Sequence, residues 1–539
     1  MIESYGMAKK TKINNDSNLK IQIAELKKRL ADISHITAAI GVLNWDQETY
    51  IPTKALDARA ENISYLSGLA HKMFVAIDSD SLLTKLKDAL DKKSIKGKDA
   101  VIVHHTWRSY EREKKLPEVF VKELSLVTSK AQHIWAEARS KNNFELFAPW
   151  LSKIVSLKRT EAKYIGYDKK KGSPYDVLLD TYEPGVYTEE ASMILNDLKD
   201  FLIPFLKKIQ DSQKTNPALS SIVDNRNSRF SQIKDIPITR QFEFNTQISK
   251  SLGFDMNAGK IAESTHPFTT GIHPFDVRFT TRYKESDLFY AVGSTIHEAG
   301  HALYEQGLPS EHFGTPLAEA ISLGIHESQS RMWENTIGKS KEFCNWISKL
   351  IKKEFGDSFS SIEGKTSITP QNIFTHVNKV KPSFIRTEAD EVTYNLHIII
   401  RFEIERELIE GSIEVKDIPK IWKAKVKEYL GLDVSTHALG CLQDVHWSCG
   451  LFGYFPTYSF GNLYAAQFWN ALIQDIPDTH KKIAKGDFKD ILSWLRKHIH
   501  VHGKTYTASQ IVKKVTGEPL NSFYFIDYLQ KKYKDLYNI

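Results

Sequence analysis

The sequence predicts a mainly α fold: a single large helical domain with a small β-sheet beside the helix that carries the chemistry. Three observations predict it. Apolar residues recur at intervals of three and four along most of the chain, the periodicity of amphipathic helices. The best strand candidate is one short stretch rich in β-branched and aromatic residues, Gly271 to Tyr283. No internal repeat, low-complexity tract or clear linker divides the 539 residues, although length alone would suggest about three or four domains.

Residues 1–18 are polar and read as a disordered leader, leaving 19–539 as the domain. From Leu19 to Ile36 the spacing is helical, then Leu43 to Tyr50 leads to a break at Pro52. Arg59 to Phe74 is a second helix, carrying Ile63, Leu66, Leu69 and Ala70. Residues 80–165 read as long charged helices split at Lys96-Gly-Lys, Leu116-Pro and Ala148-Pro. Gly172 to Gly185 is turn-rich, 188–212 is helical, and polar residues 213–236 read as a loop. Val277 to Tyr283 is the core of the strand candidate, and beyond it the chain is mostly helix to residue 533.

Composition excludes several function classes. Hydrophobic residues make up 41% and charged residues 26%, an ordinary globular balance. The net charge of +7, from 73 basic against 66 acidic residues, is too diffuse for a nucleic-acid binder. Three cysteines, Cys344, Cys441 and Cys449, with no CxxC pair, argue against a disulfide framework and point to a reducing, cytoplasmic setting. The leader has no apolar core of signal-peptide type, and the longest apolar run, Leu396 to Ile400, is too short to span a bilayer.

The chemistry centres on Ser294 to Tyr304, which contains His297-Glu298-Ala-Gly-His301. On a helix, a spacing of four puts both imidazoles on one face about one turn apart. That suits two nitrogens meeting one zinc ion at about 2.0–2.1 Å. Glu298 is rotated by about 100° from His297, beside the metal, where a base acting on water would stand. Ser286-Asp287 marks a helix start and Gly307 with Pro309 a stop. With 19 histidines the pattern would arise by chance in roughly a few per cent of such chains, so context decides.

A catalytic zinc needs a third protein ligand. The segment Ala318 to Glu334 offers Glu327. Gly300 and Gly324 would let two helices cross closely and bring Glu327 to the metal, since glycine inside a helix costs about 1 kcal/mol against alanine and often marks close approach. By spacing alone, Glu327 and Glu334 suit solvated helix carboxylates equally well.

The motifs Asp276-Val-Arg278-Phe-Thr280, His297-Glu-Ala-Gly-His301, His326-Glu327-Ser-Gln329, Ile385-Arg386-Thr-Glu-Ala-Asp390 and Gly440-Cys-Leu-Gln443-Asp444-Val-His446-Trp447 occur in that order. With Leu43 to Thr49, His266-Pro-Phe268, Gly453 to Tyr458, Thr516 to Leu520 and Tyr524 to Asp527, this pattern resembles the carboxypeptidase Taq-type zinc metallocarboxypeptidases over nearly the whole chain beyond the leader. Cys449 departs from it, standing where a small residue is expected.

The resemblance implies a zincin-type helical domain with a deep active-site cleft, like those of neurolysin and the angiotensin-converting enzymes. It implies Zn2+, for which Co2+ can substitute, a homodimer, and release of C-terminal amino acids with broad specificity. His297, His301 and Glu327 would be the ligands, and Glu298 the general base acting on zinc-activated water.

An exopeptidase must also hold a free carboxylate, for which an arginine fork is suited. Arg386 is the first choice. Arg278 is the second, with pairing to Asp276 or Asp390 as its structural alternative. His446 and Tyr458, and less so His266, are oxyanion donors by motif, with core hydrogen bonding as their ordinary role. Gln443, Asp444, Asp390 and Gln329 are expected to orient ligands, and Trp45 and Trp447 to pack. The competing functions are a zinc oligopeptidase or endopeptidase on the same fold, and a non-catalytic peptide-binding protein. The partners expected are peptides with a free C-terminus.

Overall fold

The computed structural model describes residues 2–168, 170, 172–215, 236–285, 287–360 and 368–539, with side chains described except at 2–16 and 357–360. The leader expected over 1–18 thus falls almost wholly outside the described side chains. The loop expected over 213–236 falls mostly outside the described residues.

Four helices open the chain: α1 (Ile2–Thr49), α2 (Leu56–Val75), α3 (Leu82–Asp91) and α4 (Gly97–Lys114). Pro52 separates α1 from α2 as the sequence predicts, since its ring and missing N–H cannot continue a helix. Leu26, Leu83, Leu86 and Val103 close a small core of their own here.

The next group is α5 (Glu118–Ser140), α6 (Phe144–Ile165), α7 (Pro174–Tyr182), α8 (Thr188–Thr215) and α9 (Ile238–Leu252). Two expectations are corrected in this stretch. The break expected at Ala148-Pro falls earlier, at Asn142 with φ 52° and at Asn143, whose side chain caps α6. Pro149 is tolerated inside α6 because it and Glu145, the residue whose carbonyl loses its partner, both lie on the exposed face. The stretch expected as turns, Gly172 to Gly185, holds α7: Ser173 and Asp176 form a reciprocal capping box with Pro174 at the first helical position.

The sheet follows, with β1 (Gly259–Glu263), β2 (Thr269–His273) and β3 (Asp276–Thr281) in the order β1-β3-β2. β1 runs parallel and β2 antiparallel to β3, with Arg278 opposite Lys260 and Thr270. α1 lies along β2: a Cβ on Gly41 would stand 3.3 Å from Ile272 Cγ1.

α10 (Leu288–Glu305) packs against the sheet through Thr281, whose hydroxyl donates to Ser294 Oγ at 3.2 Å. α11 (Leu323–Arg331) runs into a π-helical turn, Met332–Ile337. The remainder is α12 (Lys341–Ser360), α13 (Pro370–Val377), α14 (Glu391–Glu410), α15 (Ile418–Leu430), α16 (Pro456–Asp475), α17 (Thr479–Lys485), α18 (Lys489–His498), α19 (Ala508–Thr516) and α20 (Phe523–Tyr537). The described residues are mainly helical with one small sheet. No helix among the described residues is long and apolar enough to cross a membrane.

α14 is buried on every side, so its charged residues need partners inside the core. Glu403 accepts from Lys199, Lys425 and Tyr429, and Glu405 from Tyr175, Trp447 and the Gly453 N–H. The apolar run Leu396 to Ile400 lies within the stretch Glu391 to Glu405 that is buried throughout.

Candidate metal centre

α10 begins where the sequence places it. Asp287 caps it by accepting the Tyr290 N–H at 3.0 Å, Ser286 lies outside the described residues, and the helix ends at Glu305, before Gly307. Leu288, Val292, Ile296, Ala299 and Leu303 face the core, which leaves His297 and His301 together on the opposite face.

Glycines set the approach of the neighbouring helices. A Cβ on Gly300 would stand 2.6 Å from Ser330 Cα, so α10 and α11 touch backbone to backbone. Gly461 of α16 meets α11 from the other side, where a Cβ would stand 2.4 Å from Glu327 Cγ. Gly324 serves a different purpose from the one expected. It makes room for Glu183, whose carboxylate accepts the Gly324 N–H and the Ser322 hydroxyl at 2.9 Å each and so caps α11.

The crossing brings three donors together. Glu327 Oε2 lies 3.3 Å from His301 Nε2 and 3.9 Å from His297 Nε2. Among the described residues, these three side chains form the one group of histidine, cysteine and carboxylate ligands that converges, all within 4.8 Å. Two donors each about 2.0–2.1 Å from a tetrahedral ion stand about 3.3–3.4 Å apart. The His301–Glu327 pair has that spacing, while the His297–Glu327 pair is wider at 3.9 Å and would draw in around a metal of zinc's size.

The outer atoms of these three donors are held by other side chains. His297 Nδ1 lies 2.8 Å from Glu334 Oε2. His301 Nδ1 lies 2.6 Å from His326 Nδ1, and His326 Nε2 lies 2.8 Å from Glu305 Oε1. Arg331 donates from Nε to Glu327 Oε1 at 2.6 Å and from Nη1 to Glu334 Oε2 at 3.2 Å. Both imidazoles therefore turn Nε2 inward, and Glu327 offers Oε2. Glu298 is buried beside them, its Oε2 accepting the Thr269 hydroxyl of β2 at 2.7 Å.

Charge follows burial and neighbours. Burial would raise Glu327, but Arg331, His297 and His301 outweigh it and hold its carboxyl well below the usual range. Burial pushes the Glu298 carboxyl up, against His297 and the Thr269 hydrogen bond. Burial drives His301 down to about 3, with the neighbouring His326 adding to it, so the ring is neutral and has a lone pair to give.

The expected substrate residues form a second cluster. Arg386 is buried, and its Nε and Nη2 both donate to Asp444 Oδ1, at 3.0 and 2.9 Å. Arg401 takes Asp444 Oδ2 through Nε and Nη2, at 2.7 and 2.6 Å. The two-nitrogen edge of Arg386 is thus already engaged, and Nη1 is left to reach Tyr394 Oη at 3.3 Å. Tyr458 lies under the Arg386 guanidinium, 5.0 Å to the ring centre, and its hydroxyl is 3.3 Å from His446 Nε2. Burial lowers the His446 imidazole to about 4. Tyr458 stands one turn before Gly461 on α16, which connects this cluster to Glu327. Tyr394 connects it to Arg331, whose guanidinium lies 4.3 Å from the ring centre.

Two residues stand apart. Arg278 is held by Asp276, with contacts of 2.7 and 2.8 Å, and lies 6.0 Å from the Trp45 ring centre, the structural alternative weighed for it. His266 is exposed in the turn between β1 and β2, its carbonyl accepting the Ser264 hydroxyl.

The family model of the carboxypeptidase Taq (M32) metallopeptidases matches residues 25–533. The chain belongs to that family. It is 39% identical over 508 residues to carboxypeptidase 1 of Bacillus subtilis, covering 94% of this chain and 97% of the relative. It is 38% identical to thermostable carboxypeptidase 1 of Thermus thermophilus, covering 93% of this chain and 96% of the relative. The solved structure of Trypanosoma cruzi metallocarboxypeptidase 1 superposes with a TM-score of 0.89 at 32% identity, covering 96% of this chain and all (100%) of that one.

In this M32 peptidase the side chains that contact His297, His301 and Glu327 differ from those expected to do so. Gln329 pairs with His500, Gln443 accepts the Arg386 N–H, Asp390 caps α14, and Asp444 joins two arginines. Glu334, His326 and Arg331 make those contacts instead, with Glu305 behind His326. Helical spacing does put Glu327, Arg331 and Glu334 on one face, at i, i+4 and i+7, but that face is identified only by where α10 crosses it. Trp45 and Trp447 are buried as expected, Trp447 also donating to Glu405 at 2.8 Å.

Proposed function

We propose that this M32 chain is a zinc-dependent carboxypeptidase that releases C-terminal residues from peptides with broad specificity, His297, His301 and Glu327 being the metal ligands and Glu298 the general base. The observation that carries the reading is the convergence of His297 Nε2, His301 Nε2 and Glu327 Oε2 beside the buried Glu298 carboxylate. Zinc in such a set supplies Lewis-acid chemistry, polarising a carbonyl and lowering the pKa of water to about 7. The Thr269 hydroxyl holds Glu298 Oε2, leaving Oε1 to take the proton of the attacking water and return it to the departing amine.

Arg386 is the residue that receives the substrate carboxylate. Arg386, Arg401 and Asp444 together carry one positive charge in surplus, inside the protein, and a carboxylate is the group that neutralises it. Tyr458 and His446 stand beside it as hydroxyl and imidazole donors toward the scissile carbonyl. Cobalt is the expected substitute metal, 19–539 the catalytic unit, 1–18 a leader, and the active form a cytoplasmic homodimer. The family match over 25–533 supports the extent of the catalytic unit, and the three free cysteines support a reducing compartment.

The test is one unstructured peptide in two forms, free acid and C-terminal amide, followed by mass spectrometry with zinc and with chelator. A zinc-dependent ladder of single-residue losses from the free acid alone is expected. Internal cuts in both forms would turn the assignment to an oligopeptidase.

A further inference from the structure

His326 immediately precedes Glu327 and touches His301, yet its own imidazole is neither one of the three converging donors nor a base. Its surroundings allow one arrangement of protons. His301 Nε2 faces Glu327 and needs its lone pair for a metal, so the ring proton sits on Nδ1. That N–H meets His326 Nδ1 at 2.6 Å, which must accept it. The proton of His326 is then on Nε2, 2.8 Å from Glu305 Oε1, an oxygen that only accepts. The donor direction runs His301 to His326 to Glu305 without a break.

Packing fixes the same relay. The rings of His301 and His326 are nearly parallel, 28° apart with centres at 4.6 Å, and Tyr304 lies 5.4 Å from His326. Glu305 is seated against β2 at Gly271, where a Cβ would stand 2.3 Å from its Oε2. His297 is served differently, by direct contact with the Glu334 carboxylate. α11 and its π turn thus supply a ligand, Glu327, and one support for each histidine, His326 and Glu334.

We propose that His326 is the positioning residue of His301: it accepts the Nδ1–H, passes the interaction to Glu305, and thereby sets how firmly the metal is held. The inference rests on the metal assignment above, not on the identity of the substrate. The experiment measures the zinc dissociation constant by chelator competition, and the melting temperature of the metal-free protein, for wild type, His326→Leu, His326→Gln, Glu305→Leu and the Leu/Leu double variant.

Outer supports of metal-bound histidine are typically worth 10–100-fold in affinity, and that loss is expected for His326→Leu, with little change in metal-free melting. Glutamine can accept from His301 through its oxygen and donate to Glu305 through its nitrogen, so His326→Gln should recover most of the affinity. Glu305→Leu should add little to His326→Leu. Unchanged zinc affinity in His326→Leu, or an equal loss in His326→Gln, overturns the relay. A wild type that binds no zinc overturns it together with the functional reading. A wild type that binds zinc tightly but releases no C-terminal residue overturns only that reading.

Discussion

Glu298 and Arg386 carry separable duties, and single substitutions test them. Glu298→Gln keeps the shape and the Thr269 hydrogen bond but has no carboxylate to accept a proton. Zinc content should be unchanged and kcat should fall on the order of 100- to 10,000-fold, read by metal analysis and peptide turnover on the same sample. Arg386→Ala leaves Asp444 paired with Arg401, a neutral pair, so the core is not left with a lone charge. A charge-assisted hydrogen bond is worth about 1.5–3 kcal/mol, so KM for free-acid peptides should rise roughly 10- to 100-fold. The preference for free acid over amide should collapse with it, and a preference that survives intact removes Arg386 from substrate recognition. At this scale the sequence was legible where the chemistry is local. His297, Glu298 and His301 lie within one turn and a third of a helix, and their spacing alone states their geometry. Glu334 and His326 were illegible, because whether a helical carboxylate or imidazole meets solvent or a metal ligand depends on a partner helix.

The crossing of α10 and α11 turns that limit into a measurable quantity. Helix propensity favours alanine over glycine by about 1 kcal/mol, so Gly300→Ala would be stabilising if only the helix itself counted. The added Cβ would stand 2.6 Å from Ser330 Cα and 2.9 Å from the Gln329 carbonyl oxygen, both backbone atoms that cannot swing aside. Overpacking of this kind costs about 1–3 kcal/mol, enough to reverse the sign. Urea unfolding should show Gly300→Ala destabilised, and its zinc affinity should drop because α11 carries Glu327. Gly68, inside α2, has nothing within 4 Å of an added Cβ, so Gly68→Ala should be neutral to stabilising. If the two variants behave alike, the helices do not cross at Gly300. The glycines were visible in the sequence as candidates for close approach. Which neighbour each one admits was not, and Gly324, which admits Glu183 rather than α10, shows why.

Burial across the whole molecule leaves its mark on pH dependence. Glu405, on α14, receives the Tyr175 hydroxyl, the Trp447 indole and the Gly453 N–H, so it joins α7 and the segment before α16 to the central helix. Burial outweighs these three donors and pushes its carboxyl up to about 7 from an ordinary 4.5. Between those values the unfolded chain has released this proton and the folded chain retains it. The unfolded state then binds fewer protons, and the contribution of this group to stability falls as pH rises. Glu405→Gln imitates the protonated carboxyl and has nothing to release. Its stability relative to wild type should be flat below about pH 4.5, climb through pH 5–7, and level off above pH 7 at a gain on the order of 3 kcal/mol. Denaturant unfolding of both proteins at pH 5 and pH 8 reads the difference directly. Parallel curves would mean that Glu405 is ionised in the folded protein and that its three donors prevail over burial. Asp444 has the opposite sign: against the cost of burial, Arg401 and Arg386 hold it well below its ordinary range, so its contribution is present above that range and lost only in strong acid. A buried charge on α14 or near it therefore raises or lowers stability with pH according to whether its partners are dipoles or guanidinium groups. The sequence of α14 carries no trace of that distinction, which comes from residues brought in from far along the chain.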